Sequence, residues 1–187
     1  MKSDNMRFYS AMLMAGCGLH AAAQTQRPNI VFIITDDHSF QTISAYGSEV
    51  SKLAPTPNID RLANEGARFD DAFVENSLST PARACLLTGL YSHQNGQRTL
   101  GKGIDSTKTF VSELLQDAGY QTGVVGKWHM QCRPKGFDFF RIFEGQGDYY
   151  NPLVLSHDSN GKYEREQGYA TDIVTEHAVE FLNQRDE

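Results

Sequence analysis

Three short stretches of the 187-residue sequence set reactive side chains at spacings that chemistry can use. In Ser79-Thr80-Pro81-Ala82-Arg83 a small hydroxyl stands two positions before a proline and four before an arginine. Proline is favoured in the first turn of a helix, where its missing N–H costs nothing, so Ser79 falls at or before the cap of a short helix over residues 81–88. Unpaired backbone N–H groups at that end bind oxyanions, and Arg83, one turn on, reaches back over the same face. The arrangement suits a reacting tetrahedral anion; it also describes an ordinary capped helix with a solvated arginine. Asp36 and Asp37 close an apolar run at the edge where open α/β sheets place their sites, and paired carboxylates with oxygen-only neighbours suit a hard divalent cation. A turn followed by a cap would use the same two aspartates. Gly126-Lys127-Trp128-His129 ends a later strand, and residues two apart on an extended segment point the same way, so Lys127 and His129 can grip one anion together. Taken singly, each also reads as a solvated or packed residue.

The elements that must position these groups follow from periodicity. Residues 29–34 (NIVFII) are almost continuously apolar, as in a strand buried on both faces of a parallel sheet. Residues 57–65 carry Ile59, Leu62 and Ala63 at helical spacing, with Gly66 just past the end. Residues 68–74 read as a second strand and 81–88 as a short helix stopped by Gly89. Residues 110–118, with Phe110, Leu114, Leu115 and Ala118 on one face and Gly119 as stop, read as a helix leading into a strand over 121–126. Between Gly136 and Gly168 the chain is rich in Gly, Tyr and Asp without clear periodicity and reads as loops. A last helix spans residues 172–183, with Ile173, Val174, His177, Ala178, Phe181 and Leu182 on a face that nothing later in the chain covers. Strand and helix alternate, the order of an α/β sheet domain.

Composition narrows the function classes. With 40% hydrophobic and 21% charged residues the chain can bury a real core. A net charge of −6 provides no global field to gather nucleic acid, so an anionic substrate must be held by local cations. Residues 1–23 read as an export signal: Lys2 and Arg7 at the basic end, a mostly apolar stretch over 8–19, and Ala21-Ala22-Ala23 before the cleavage point. That stretch is too short and interrupted to span a bilayer. The expected location is therefore periplasmic or secreted; a second reading ends the leader at Cys17 as an outer-membrane lipoprotein. Of the three cysteines, Cys85 and Cys132 lie outside the leader, and two widely spaced cysteines make no disulfide framework.

The stretch from Ser79 to Arg83, followed by Leu86-Leu87-Thr88-Gly89, resembles the signature of type I sulfatases, in which Cys or Ser, any residue, Pro, any residue, Arg is converted to formylglycine (3-oxoalanine). RPNIVFIITDDH, APTPNIDRLANEGARFDDAFV, LQDAGYQTGVVGKWH and GYATDIVTEHAVEFL are similar to the amino-terminal half of the same family. Tyr149-Tyr150-Asn151 ahead of Asn160-Gly161-Lys162 is closest in appearance to bacterial N-acetylglucosamine-6-sulfatases. The resemblance implies an alkaline-phosphatase-like α/β sandwich with a mainly parallel central sheet. It implies that Asp36, Asp37 and residue 79 ligate calcium, that Arg83 positions the nucleophile, and that Lys127 and His129 contact the sulfate. The implied reaction is hydrolysis of a sulfate ester, here the 6-O-sulfate of N-acetylglucosamine in host glycans. A plain serine would stall as its own sulfate ester, whereas a hydrated aldehyde carries a second hydroxyl to release the sulfate. Serine at position 79 further implies maturation by an anaerobic radical sulfatase-maturating enzyme before export.

The family also needs an Asp-Asn pair on calcium, a further lysine on sulfate and a histidine near the leaving oxygen, all expected beyond Glu187. Residues 24–187 are accordingly expected to be the truncated amino-terminal part of the catalytic domain, inactive alone. His157 and His177 do not replace the missing groups, and His38 is given no role. The rival readings are a phosphate or phosphonate ester hydrolase of the alkaline phosphatase superfamily and a non-catalytic glycan-binding fragment.

Overall fold

The computed structural model describes residues 27–184, so the leader expected over residues 1–23, whether cleaved after Ala23 or lipidated at Cys17, lies outside the described residues. The chain divides into two compact units, Met1–Arg68 and Phe69–Glu187.

In the first unit, Pro57 opens helix α1 (Pro57–Glu65) from the position its fixed φ favours. Asp60 in the first turn accepts from Ser44 Oγ at 2.6 Å and from Thr56 Oγ1 at 3.1 Å. The N–H groups of Ser44 and Thr56 donate to each other's hydroxyls at 3.0 and 2.7 Å, which ties α1 to the 3-10 turn Ser44–Tyr46. The strand expected over residues 29–34 does not form: Ile30, Val31, Phe32 and Ile33 are between 61% and 75% exposed. Strand structure is a property of pairs, and apolar propensity without a ladder partner leaves the segment irregular. The same reason applies at the start of the second unit, where residues 69–74 form no strand and Phe73 is 93% exposed.

The second unit is built on a sheet in the order β1 (Gly123–Lys127), β2 (Phe139–Phe143), β3 (Leu153–Ser156), β4 (Tyr163–Arg165). β1 and β2 run parallel, with Gly126 opposite Ile142 and Lys127 opposite Phe143, and β2–β3 and β3–β4 are antiparallel. The parallel character expected of the central sheet is carried here by β1–β2. Residues expected to be loops between Gly136 and Gly168 thus contribute three strands. In β2 the run FFRIF is buried on both faces except at Arg141, so it shows neither period 2 nor a continuous apolar stretch.

The second unit also carries, among the described residues, the helices α2 (Ser79–Thr88), α3 (Ser92–Asn95), α4 (Val111–Asp117) and α5 (Ala170–Gln184). Gly89, at φ 66°, closes α2 as expected, its N–H donating to the Cys85 carbonyl at 2.8 Å. α4 buries Phe110 at its amino end but leaves Leu114 57% exposed, so its expected apolar face is only partly used. α5 packs on β1 and β2, which covers much of the face expected to be bare. Ile173 is buried with Phe143, Val154 and Ala170, and the Phe181 ring lies 5.4 Å from that of Phe139. Gly126, at φ 89°, allows the approach: a Cβ there would meet Val174 Cγ2 at 3.3 Å. The main core joins Ala84 of α2 and Phe110 to Phe140, Ile142 and Leu155 of the sheet through Trp128 and Met130. These last two belong to the β1–β2 connection, so the segment leaving β1 is anchored on both sides of His129.

Candidate active site

The first turn of α2 and the end of β1 bring four of the expected residues together. The N-cap is Leu78, which makes no side-chain cap bond, so Ser79 is the first helical residue rather than the cap. Its hydroxyl is therefore not consumed by the helix end. Ser79 Oγ lies 3.2 Å from His129 Nδ1 and accepts from Arg83 Nε at 3.3 Å. An arginine only donates, so the Ser79 proton is left to point at Nδ1 in the tautomer where that nitrogen is bare. The second arm of Arg83 donates to the Lys127 carbonyl at 2.6 Å. These contacts replace the capped helix with a solvated arginine as the account of the Ser79–Arg83 spacing.

Lys127 and His129 reach the site by a different route from the one spacing implies. β1 ends at Lys127, and His129 adopts φ 52°, the left-handed region that a β-carbon disfavours. Two-residue alternation along an extended segment does not carry past Lys127. What aims the imidazole at Ser79 is the local reversal of the backbone, framed by Trp128 and Met130 in the core. Thr80, wholly buried beside Ser79, donates from Oγ1 to the His129 carbonyl at 3.1 Å. Sequence reasoning passed over Thr80 because the motif leaves that position open; its one legible signal is a hydroxyl in the first turn.

Asp36 and Asp37 lie in the first unit on an exposed bend, with Asp37 at φ 51°, a conformation aspartate tolerates better than most residues. Their donors are all oxygen, which fits a hard divalent cation. Among the described residues no cluster of three or more His, Cys, Asp or Glu side chains is placed to hold a metal ion. His38 is half-buried beside the pair. His157 and His177 are engaged elsewhere. The His157 ring packs 5.1 Å from that of Phe139, and His177 Nε2 lies 2.8 Å from Glu166 Oε2 with Nδ1 3.5 Å from Glu180 Oε2. Cys85 and Cys132 are free thiols, and burial pushes that of Cys132 up from its usual range. No helix among the described residues is long and apolar enough to cross a membrane.

The chain is similar to known proteins over most of its length. The sulfatase family profile matches residues 28–187. An N-acetylglucosamine-6-O-sulfatase of Bacteroides thetaiotaomicron is 46% identical over 95% of this chain, and an arylsulfatase of Klebsiella aerogenes is 36% identical over 82%. The chain spans 31% of the first relative's length and 36% of the second's. A solved structure described as a complex with its substrate D-glucosamine-2-N,6-O-disulfate superposes with a TM-score of 0.80 at 48% identity. It covers 86% of this chain, which in turn covers 32% of it. With the serine-type signature at Ser79–Arg83 and the alkaline-phosphatase-like α/β fold of these neighbours, the chain belongs to the sulfatase family, of which it represents the amino-terminal part.

Proposed function

We propose that the protein carrying this chain hydrolyses sulfate esters, and that its substrate is a glycan bearing a 6-O-sulfate on N-acetylglucosamine. The observation that carries the reading is the convergence of His129 Nδ1 and Arg83 Nε on Ser79 Oγ, within 3.2 and 3.3 Å, at the open end of a helix. The sugar follows from the relatives: the Bacteroides enzyme acts at the 6-position of N-acetylglucosamine, and the solved neighbour holds a 6-O-sulfated glucosamine.

Ser79 is the residue that oxidation to formylglycine would convert, and its half-buried hydroxyl, accepting from Arg83 Nε and facing His129 Nδ1, fits that modification. Once formed, the aldehyde supplies a nucleophile that is regenerated at each turnover. Arg83 holds residue 79 against the helix end and fixes the orientation of its oxygen. His129 takes or returns a proton at Nδ1, and Lys127, at the end of β1, contributes positive charge toward the sulfate oxygens. Asp36 and Asp37 would contribute their carboxylates to a calcium ion, which would offset charge on the ester. Export through the leader and maturation by an anaerobic radical enzyme belong to the same reading.

The test expresses the full reading frame with an anaerobic maturase. Turnover is followed on 6-O-sulfated N-acetylglucosamine, on an aryl sulfate and on the matching phosphate ester, with peptide mass spectrometry at residue 79. The expected result is loss of two hydrogens at Ser79 and preference for the 6-O-sulfated sugar. Unmodified serine throughout an active preparation, or faster phosphate hydrolysis, overturns the proposal.

A further inference from the structure

We infer that Thr80, at a position the sulfatase signature leaves open, is a positioning residue whose hydroxyl sets the His129 imidazole on residue 79. Thr80 is wholly buried, and its Oγ1 donates to the His129 carbonyl at 3.1 Å across 49 positions of sequence. His129 is held at φ 52°, a region that a β-carbon disfavours and that persists only where surroundings over-determine it. Rotation out of that region swings the carbonyl and the side chain together, because both hang on the same Cα. A donor fixed to the carbonyl therefore fixes the direction in which the side chain leaves the backbone, which carries the ring whose Nδ1 is 3.2 Å from Ser79 Oγ.

The geometry closes on itself. Ser79 and Thr80 are adjacent in the first turn of α2; one faces the His129 ring and the other holds the His129 carbonyl. Arg83, one turn on, holds the Lys127 carbonyl at 2.6 Å. The helix thus grips alternate carbonyls at the end of β1, and displacement of the segment would be felt at the reacting oxygen. A misplacement of about 1 Å from a group outside the chemistry can lower a rate about a hundredfold. Thr80 touches neither the ester nor residue 79's oxygen in this role; it acts through His129.

This inference rests on the sulfatase reading, and the experiment separates the two. Thr80→Val keeps the shape and removes the hydroxyl; Thr80→Ser keeps the hydroxyl and removes the methyl. Both are made in the full-length protein, matured with the same enzyme, and rates are normalised to the measured formylglycine content. Selective 15N labelling of histidine reads the His129 ring directly, assigned by loss of its signal in His129→Gln. Thr80→Val is expected to lower kcat on a 6-O-sulfated N-acetylglucosamine by about tenfold to a hundredfold, with KM changed less than about twofold, and to shift the His129 ring resonances. Thr80→Ser is expected to recover most of kcat and the wild-type resonances. Unchanged kcat and resonances in Thr80→Val overturn the inference, as does equal failure of Val and Ser with equal loss of thermal stability, which marks a packing role. Should the wild-type protein turn over no sulfate ester, the sulfatase reading fails, and the resonance shifts alone decide for or against the Thr80 link.

Discussion

Arg83 divides its guanidinium between two oxygens, the Ser79 hydroxyl and the Lys127 carbonyl, and is half-buried while doing so. Arg83→Ala removes both bonds at once and should destabilise the protein by about 2 kcal/mol, the scale of a charged hydrogen bond lost from a partly desolvated site. Arg83→Lys is not a conservative rescue, since an ammonium cannot reproduce the fork that reaches both oxygens. Thermal unfolding of the two variants checks the stability effect, and a lysine variant matching wild type in both stability and turnover would contradict the two-point geometry. The acidic pair calls for a readout separate from rate. In the full-length protein, Asp36→Ala or Asp37→Ala should each lower bound calcium, measured by elemental analysis, together with sulfatase turnover. Unchanged metal content and full activity in either variant would make the pair structural. At this scale the sequence was legible where a motif is local: Ser79 and Arg83 meet because a helix places i and i+4 on one face. It was not legible at His129, whose aim depends on a left-handed φ and on a buried threonine 49 positions away.

Helices were largely readable because their signals are local, as with Pro57 opening α1 and Gly89 closing α2. The strand expected over 121–126 forms as β1, but the other strands were not legible, because pairing is non-local: residues 29–34 look like a strand and lack a ladder, while β2 hides Arg141 in an otherwise buried run. Arg141 is tolerated there because it pairs with Asp158 at 2.9 Å and with Glu180 of α5 at 3.4 Å. The amino end of α4 offers a test of element stability. Glu113 Oε2 accepts from the Phe110 N–H at 2.9 Å and pairs with Lys135 Nζ at 3.0 Å. The first of these contacts, then the second, holds its carboxyl below the usual 4.5. Because the folded-state pKa is depressed, the contribution is present above about pH 4.5 and is lost as the pH falls below it. Glu113→Ala should lower stability by about 1 kcal/mol at neutral pH, with the difference from wild type shrinking in acid; a pH-independent difference would assign the loss to packing instead. Gly136 makes a sharper test of how the β1–β2 connection meets α4. At φ 72° a Cβ there would lie 2.6 Å from the Glu113 backbone nitrogen, so Gly136→Ala should destabilise by more than about 1 kcal/mol by denaturant unfolding.

At the scale of the whole molecule, the decisive fact is that the chain spans 31% of the Bacteroides enzyme's length while exposing long apolar segments. Ile30 to Ile33 and the residues Phe69, Phe73 and Val74 have the composition of buried strands and are between 61% and 93% exposed. Extended apolar backbone with open hydrogen-bonding edges is a template for association. Residues 1–187 expressed alone should therefore elute as oligomers or aggregates and bind a hydrophobic dye, whereas a protein continuing over the relatives' full length should do neither. The same shortfall bears on calcium. Asp36 and Asp37 supply two carboxylates toward the six to eight oxygens the ion usually takes, so water must fill the rest and affinity should be weak. Even with Ser79 fully converted, the short chain is expected to turn over neither 6-O-sulfated N-acetylglucosamine nor an aryl sulfate, while the extended protein treated with the same maturase turns over both. The comparison is made at matched formylglycine content and in soluble fractions only, so that aggregation is not mistaken for lost chemistry. Comparable turnover by the short chain would place every essential group within residues 1–187 and would return His38, His157 and Asp158 to consideration as participants.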